Sequence, residues 1–294
     1  MKRFMSALGV GMLCAGLVLT LMPRPVAAAD SPVATADKAL MAAFVKGDKA
    51  TIEKYLDADF SWIDTDGVMV AKDDALALGM KPLIGEGPGI EILEHSYGDQ
   101  VVWLRASTGG NKWSARFWVK RPAGWKLLHT TEIQQRPREE SVNVRPTYNI
   151  PCINPCKQLP MKIVDKAQAE AVAGWQEQES GRQYWLKHVA DDNVTVSTYG
   201  GATLPKKDRP NPPAPPAGAA ARPPVTIGAA PVLYGRMWSF GPETVVMVTA
   251  QPTYGGKAYW ASRVFHYQFG TWQMAESFHN TIQASGVMTE VEGK

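Results

Sequence analysis

One stretch of this chain is written twice. Residues 110–134 laid over 257–281 place Trp113 on Trp260, Arg116 on Arg263 and Trp125 on Trp272 without a gap, all 147 positions apart (113 to 260, 116 to 263, 125 to 272). Tryptophan is only 10 of 294 residues, so two such coincidences with an arginine between them point to duplication. Further blocks follow in the same order at slightly different offsets, as loop insertions would cause. Ser96-Tyr97-Gly98 answers Ser239-Phe240-Gly241, and Val101-Val102 with Ala106 answers Val245-Val246 with Ala250. Asp59 to Gly67 answers Asp192 to Gly200, and Asp37-Lys38-Ala39 answers Asp165-Lys166-Ala167. A unit of this length can bury its own core, so the chain is expected to hold two domains in tandem.

Each copy reads as helix first and strands afterwards. Leu40, Met41, Phe44 and Val45 recur at helical spacing over residues 34–45, and Gly47 follows as a stop. Asp48 can cap a second short helix over 49–56. Phe60 to Ile63 is a short strand, the turn Thr65-Asp66-Gly67 leads into Val68 to Val70, and longer strands are expected near 91–97, 101–106, 113–120 and 125–134. Copy two gives one helix over 167–187 and strands near Val194, Tyr234, Val245, Tyr259 and Trp272. Helices followed by an antiparallel meander predict an α+β fold, with helices on one face of each sheet.

The divisions follow. Residues 1–29 read as a signal peptide, 30–135 as the first domain, 136–163 as a linker and 164–294 as the second domain. Residues 204–225 hold eight prolines and read as a surface loop inserted in copy two. The leader reading rests on Met1-Lys2-Arg3, an uncharged apolar run from Ser6 to Met22, a break at Pro23-Arg24-Pro25, and Ala27-Ala28-Ala29 before Asp30. A membrane anchor is the alternative, although the run of about 17 residues is short for a span. Leu13 before Cys14 does not suit a lipoprotein signal. The chain is therefore expected to be periplasmic or secreted, with no membrane association once the leader is cut. There the linker pair Cys152 and Cys156 is most simply a disulfide, with a redox pair or free thiols as alternatives.

Removing the leader also removes Lys2, Arg3 and Arg24 from 31 basic residues, leaving 28 against 28 acidic ones. No basic face remains, which argues against nucleic-acid binding. No glycine-rich phosphate loop follows a strand and no nucleophile elbow occurs, so no cofactor is expected.

The two helices, the turn Phe60-x-Trp62-x-Asp64-x-Asp66-Gly67, and the curved strands ending in Gly124-Trp125-Lys126-Leu127-Leu128-His129 resemble the nuclear transport factor 2-like superfamily. The branch they look most like is SnoaL-like and ketosteroid-isomerase-like. The resemblance spans most of 34–134 and, more weakly, 164–283. It implies two tandem cone-shaped modules, each with N-terminal helices packed in a curved antiparallel sheet and an apolar pocket at the wide end. It implies no single activity. The isomerase set of a Tyr donor, a base Asp and a neutral Asp finds no complete match here.

The residues offer several candidates. Asp64 is a base or a turn former, and His129 a pocket acid or base. Strand alternation puts Arg116 on the face of Ser114 and Trp118, opposite Trp113, Ala115 and Phe117. If that face lines a pocket, Arg116, and Arg263 in copy two, would bind an anionic group, with Trp62 and Trp118 as walls. If it faces out, they are surface arginines or pair across the interface. His129 with Glu132, and Glu276 with His279, are three residues apart and point to opposite faces of a strand, so no metal site is expected.

Three functions compete. The first is an exported module binding a small, mostly apolar or acidic molecule. The second is an isomerase, hydrolase or dehydratase with copy one active through Asp64 and His129. The third is a structural pseudo-dimer without ligand. The assembly is expected to be a monomer with an internal pseudo-dimer, or a homodimer.

Overall fold

The computed structural model describes residues 31–85, 87–138, 162–179, 182–209, 234–253 and 256–283. The leader, the cysteine pair, most of the linker and most of the proline-rich segment lie outside the described residues.

Copy one runs α1 (Pro32–Lys46), α2 (Lys49–Tyr55), β1 (Leu56–Ile63), β2 (Met69–Ala71), α3 (Lys72–Leu78), β3 (Ile90–Tyr97), β4 (Val101–Thr108), β5 (Lys112–Arg121) and β6 (Gly124–Gln134). Copy two runs α4 (Lys166–Glu179), α5 (Arg182–His188), β7 (Val189–Ser197), β8 (Gly201–Ala202), β9 (Tyr234–Phe240), β10 (Thr244–Thr253), β11 (Gly256–Gln268) and β12 (Thr271–Thr281). The sheets have the same strand order, β2-β1-β6-β5-β4-β3 and β8-β7-β12-β11-β10-β9. This is the α+β, helix-first architecture expected, present in two copies. Each sheet has one parallel ladder, β1 with β6 and β7 with β12, in place of an all-antiparallel meander. The single helix expected over 167–187 is two helices, α4 and α5, matching α1 and α2.

The duplication extends to irregularities. The β5–β6 register slips between Phe117 and Trp118, and the β11–β12 register slips between Val264 and Phe265, again 147 apart (117 to 264). A bulge bends a strand and turns the residues beyond it to the other face, so each copy places its side chains in the same way.

α1 begins at Ser31, whose Oγ accepts from the Ala34 amide at 2.9 Å, with Pro32 at the first helical position. It ends at Gly47 (φ 67°), which closes the last turn in a left-handed conformation. Its buried stripe, Val33, Ala36, Leu40, Met41 and Phe44, packs on Phe60, Trp62, Leu104, Trp118 and Leu127. In copy two Ala171, Val172 and Trp175 of α4 pack on Met247, Phe265, Trp272 and Met274. Matching the buried stripes sets Phe44 opposite Trp175 and Asp37 opposite Gln168. The sequence pairing of Asp37 with Asp165 is thereby corrected: Asp165 caps α4, its Oδ1 accepting from the Gln168 amide at 2.9 Å.

The outer faces of the two sheets meet each other. Trp103, Trp113, Phe117, Leu128 and Ile133 share one core with Val196, Val246, Val264, Ala275 and Phe278. Polar groups cross the same junction. Trp260 Nε1 donates to Gly67 O at 2.8 Å, and Asn280 Nδ2 donates to Asp64 O at 2.5 Å and Glu132 O at 2.6 Å.

Gly67 has φ 77°, and a Cβ there would stand 2.7 Å from Ile282 Cα, a backbone atom. Gly47 has a similar φ with nothing within 4 Å. The left-handed conformation costs an L-residue about 1–2 kcal/mol, and forced overpacking about 1–3 more. Gly67→Ala is therefore expected to destabilise the chain by about 3 kcal/mol and Gly47→Ala by about 1 kcal/mol, read from urea midpoints. Equal losses would show that the junction yields at Gly67.

Candidate functional site

Alternation along β5 divides its side chains between the two faces. Trp113, Ala115, Phe117 and Val119 enter the core between the sheets, while Ser114, Arg116 and Trp118 turn to α1. Arg116 thus lies inside copy one's cone and is almost fully buried. Its guanidinium donates to Asp37 of α1, and its Nη2 donates to Ile84 O at 2.6 Å. Asp37 also accepts from Trp118 Nε1 at 3.0 Å. The arginine charge is therefore matched by a carboxylate of the protein itself.

β6 supplies a second carboxylate. Glu132, 4 % exposed, accepts from the Leu83 amide at 2.7 Å. Burial pushes its carboxyl from about 4.5 up to about 7, against the opposing pull of the Leu83 amide, Trp62 and Arg116. Near neutral pH its charged and protonated forms are both populated. A cavity of about 10 Å³ lies here, lined by Trp62, Ser114, Arg116, Thr130, Glu132 and apolar neighbours that include Met41 and Phe44. That volume holds a single water. Trp62 Nε1 and Ser114 Oγ are buried without a hydrogen-bond partner among the described residues. The indole N–H lies near enough to Glu132 to favour its charged form, but no acceptor meets it in bonding geometry. Trp62 itself is held edge-on by Phe44, with ring centres 5.6 Å apart.

Copy two is built differently at the matching positions. Arg263 is buried beneath α4, its guanidinium 5.2 Å from the Trp175 ring centre. It donates to Thr249 Oγ1 at 2.9 Å and Gln251 Oε1 at 2.8 Å. His279 stands where copy one has Glu132. Burial, and then Arg263, depress its pKa to about 3, so it is neutral, and its Nε2 meets Ser277 Oγ at 2.8 Å.

The sequence candidates separate accordingly. Trp62 and Arg116 line one cavity, Trp118 joins them through Asp37, and Arg263 occupies the other cone. Asp64 and His129 do not converge, which corrects their reading as an acid–base pair. Asp64 Oδ1 accepts from the Asp66 and Val68 amides, both at 2.9 Å, so its carboxylate shapes the turn. His129 is buried between the sheets, its Nδ1 2.8 Å from Ser61 Oγ and its Nε2 2.8 Å from Ser262 Oγ. Among the described residues, no group of three His, Cys, Asp or Glu could hold a metal. Asp37, Ser114 and Glu132 were missed as site residues. Alternation already put Ser114 beside Arg116, and it put Glu132 on the face opposite His129.

No family model matches the chain, and no curated protein does either. Solved structures similar to it include an NTF2-like protein from Rhodospirillum rubrum, described as of unknown function in nutrient uptake. It is 24% identical, with 35% of this chain and 97% of that one covered and a TM-score of 0.29. An NTF-2 like protein of unknown function from Silicibacter pomeroyi is 13% identical over 34% of this chain and 91% of that one, with a TM-score of 0.28. The CamKII hub homology domain of a Chlamydomonas alga is 16% identical over 34% and 94%, with a TM-score of 0.25.

Proposed function

We propose that this chain is an exported small-molecule-binding protein whose working site is the cone of copy one, with copy two as its structural partner. The reading rests on one observation: Trp62 and Ser114, whose Nε1 and Oγ are buried with no hydrogen-bond partner among the described residues, line a cavity that also holds Glu132. A ligand seated there accepts from both groups, each such bond contributing about 1 kcal/mol net. Asp37 already neutralises Arg116, which favours a mostly apolar ligand carrying a carbonyl or hydroxyl over a strongly acidic one. The segment from Pro82 to Ile84 closes one side of the cavity through the Leu83–Glu132 and Ile84–Arg116 bonds, so a ligand entering there would break both.

The test is a screen of small ketones, phenols and alcohols against the full chain by native mass spectrometry, repeated with Trp62→Phe and Ser114→Ala. Both variants keep most of the local packing. A ligand seated here should bind each about tenfold more weakly, the worth of one hydrogen bond. Unchanged affinity in both would place it elsewhere.

A further inference from the structure

A second opening lies on the outside of copy one and shares only Phe44 with the buried cavity. α1 stops at Gly47 and α3 stops at Gly79, and the two helix ends leave a groove of about 300 Å³. Its floor is apolar, formed by Phe44, Ile52, Ala75, Leu76 and Met80. Val45 on its wall is 76% exposed, a large aliphatic side chain standing in water. The rim carries Lys46, Lys49 and Lys81 and no carboxylate. Asp48 lies between two of these lysines in sequence, but its carboxylate is turned to the Thr51 amide and hydroxyl at 3.2 and 2.6 Å, where it caps α2. Three lysines therefore rim an apolar floor whose lining, among the described residues, holds no carboxylate; Asp48 stands near Lys46 but outside that lining.

We infer that this groove binds an anionic amphiphile, an acyl chain ending in a carboxylate. The chain lies along Ile52, Leu76 and Met80, and the head group meets the lysine rim. Both halves of such a ligand find what they need. Apolar surface leaves water at roughly 25 cal/mol per Å². The carboxylate gains up to three exposed cations, each contributing modestly and each screened by salt. Lysine suits this task, because its long stem covers apolar surface while its ammonium stays wet. A neutral or cationic amphiphile gains the first term without the second.

The experiment titrates the full chain with decanoate, decanol and decyltrimethylammonium by isothermal calorimetry, with tryptophan fluorescence as a second readout. Trp62 lies edge-on to Phe44, so a chain settling on Phe44 should perturb it. Decanoate is expected to bind at least tenfold tighter than either control, and to weaken with added salt. The triple variant Lys46→Gln, Lys49→Gln, Lys81→Gln alters only exposed side chains, so it should melt as the parent does. It should lose about tenfold in decanoate affinity and nothing for decanol. Met80→Gln should weaken decanoate and decanol alike. The inference is overturned if decanoate does not bind, if head-group charge makes no difference, or if the triple variant binds decanoate as the parent does. Decanoate binding that appears only on dilution would show a second copy seated in the groove and would overturn it too. The lysine and Met80 variants leave Trp62 and Ser114 in place and separate the groove from the buried cavity, which stands or falls on the Trp62→Phe and Ser114→Ala variants.

Discussion

Asp37→Ala should destabilise the chain by about 3–5 kcal/mol, the usual loss when one partner of a buried ion pair is removed. The substitution leaves the buried Arg116 guanidinium with its bond to Ile84 O and no carboxylate beside it, and it strands Trp118 Nε1 as well. Much of that loss is the cost of an uncompensated charge in a dry site. The double variant Asp37→Leu, Arg116→Met removes both charges and should recover most of the stability, since an apolar replacement of similar volume is often neutral or better. Urea unfolding of the parent, the single variant and the double variant decides the matter. A single variant within 1 kcal/mol of the parent would mean that Arg116 finds another anion, which would reopen the case for an acidic ligand in this cone.

Acid should weaken the fold through its buried imidazoles. Burial holds His129 at a pKa of about 3, against 6.5 for an exposed imidazole, and holds His279 equally low. Between those values the unfolded chain carries protons that the folded one refuses, so stability is fully present above about pH 6.5 and falls as the pH drops. Each histidine contributes up to about 1.4 kcal/mol per pH unit, or about 3 kcal/mol by pH 4.5. Glu132 works in the opposite sense. Its raised pKa makes the folded state bind the extra proton between about pH 4.5 and 7, so it offsets roughly one of the two histidines there. His129→Gln keeps a polar side chain near Ser61 and Ser262 but does not titrate. Thermal melts at pH 7.5, 6 and 4.5 should show a clearly shallower loss in this variant, and parallel curves would rule out His129 as a source of the acid sensitivity.

The duplicated architecture was legible because its markers are rare residues at fixed spacing. Strand ends fell within a residue or two of the expected ones, since alternation and turn glycines frame β3 to β6. The face of Arg116 was legible for the same reason, whereas its partner was not. A string match equated Asp37 with Asp165, although only the buried stripe shows that Gln168 occupies the matching place. His129 was misread because the slip at Phe117 and Trp118 puts Leu128 and His129 on the same outer face, and simple alternation does not foresee a bulge. Glu132 was weighed only as a metal ligand. Its importance comes from being closed off by Leu83, a contact 49 residues away in sequence. α3 went unread because Lys72 to Leu78 is too short for a periodic signal.

The junction between the sheets has a consequence for how the two halves can change. When identical subunits meet about a twofold axis, every residue appears on both sides, and one substitution is felt twice. Here each position occurs once. His129 reaches Ser262, but the counterpart of Ser262 is Ala115, which offers Glu276 nothing, so Glu276 turns to His95 Nδ1 at 2.7 Å and Tyr97 Oη at 3.1 Å. Joining the halves in one polypeptide frees each from having to complement its own image. One half can then drift toward pure scaffolding while the other keeps a polar interior.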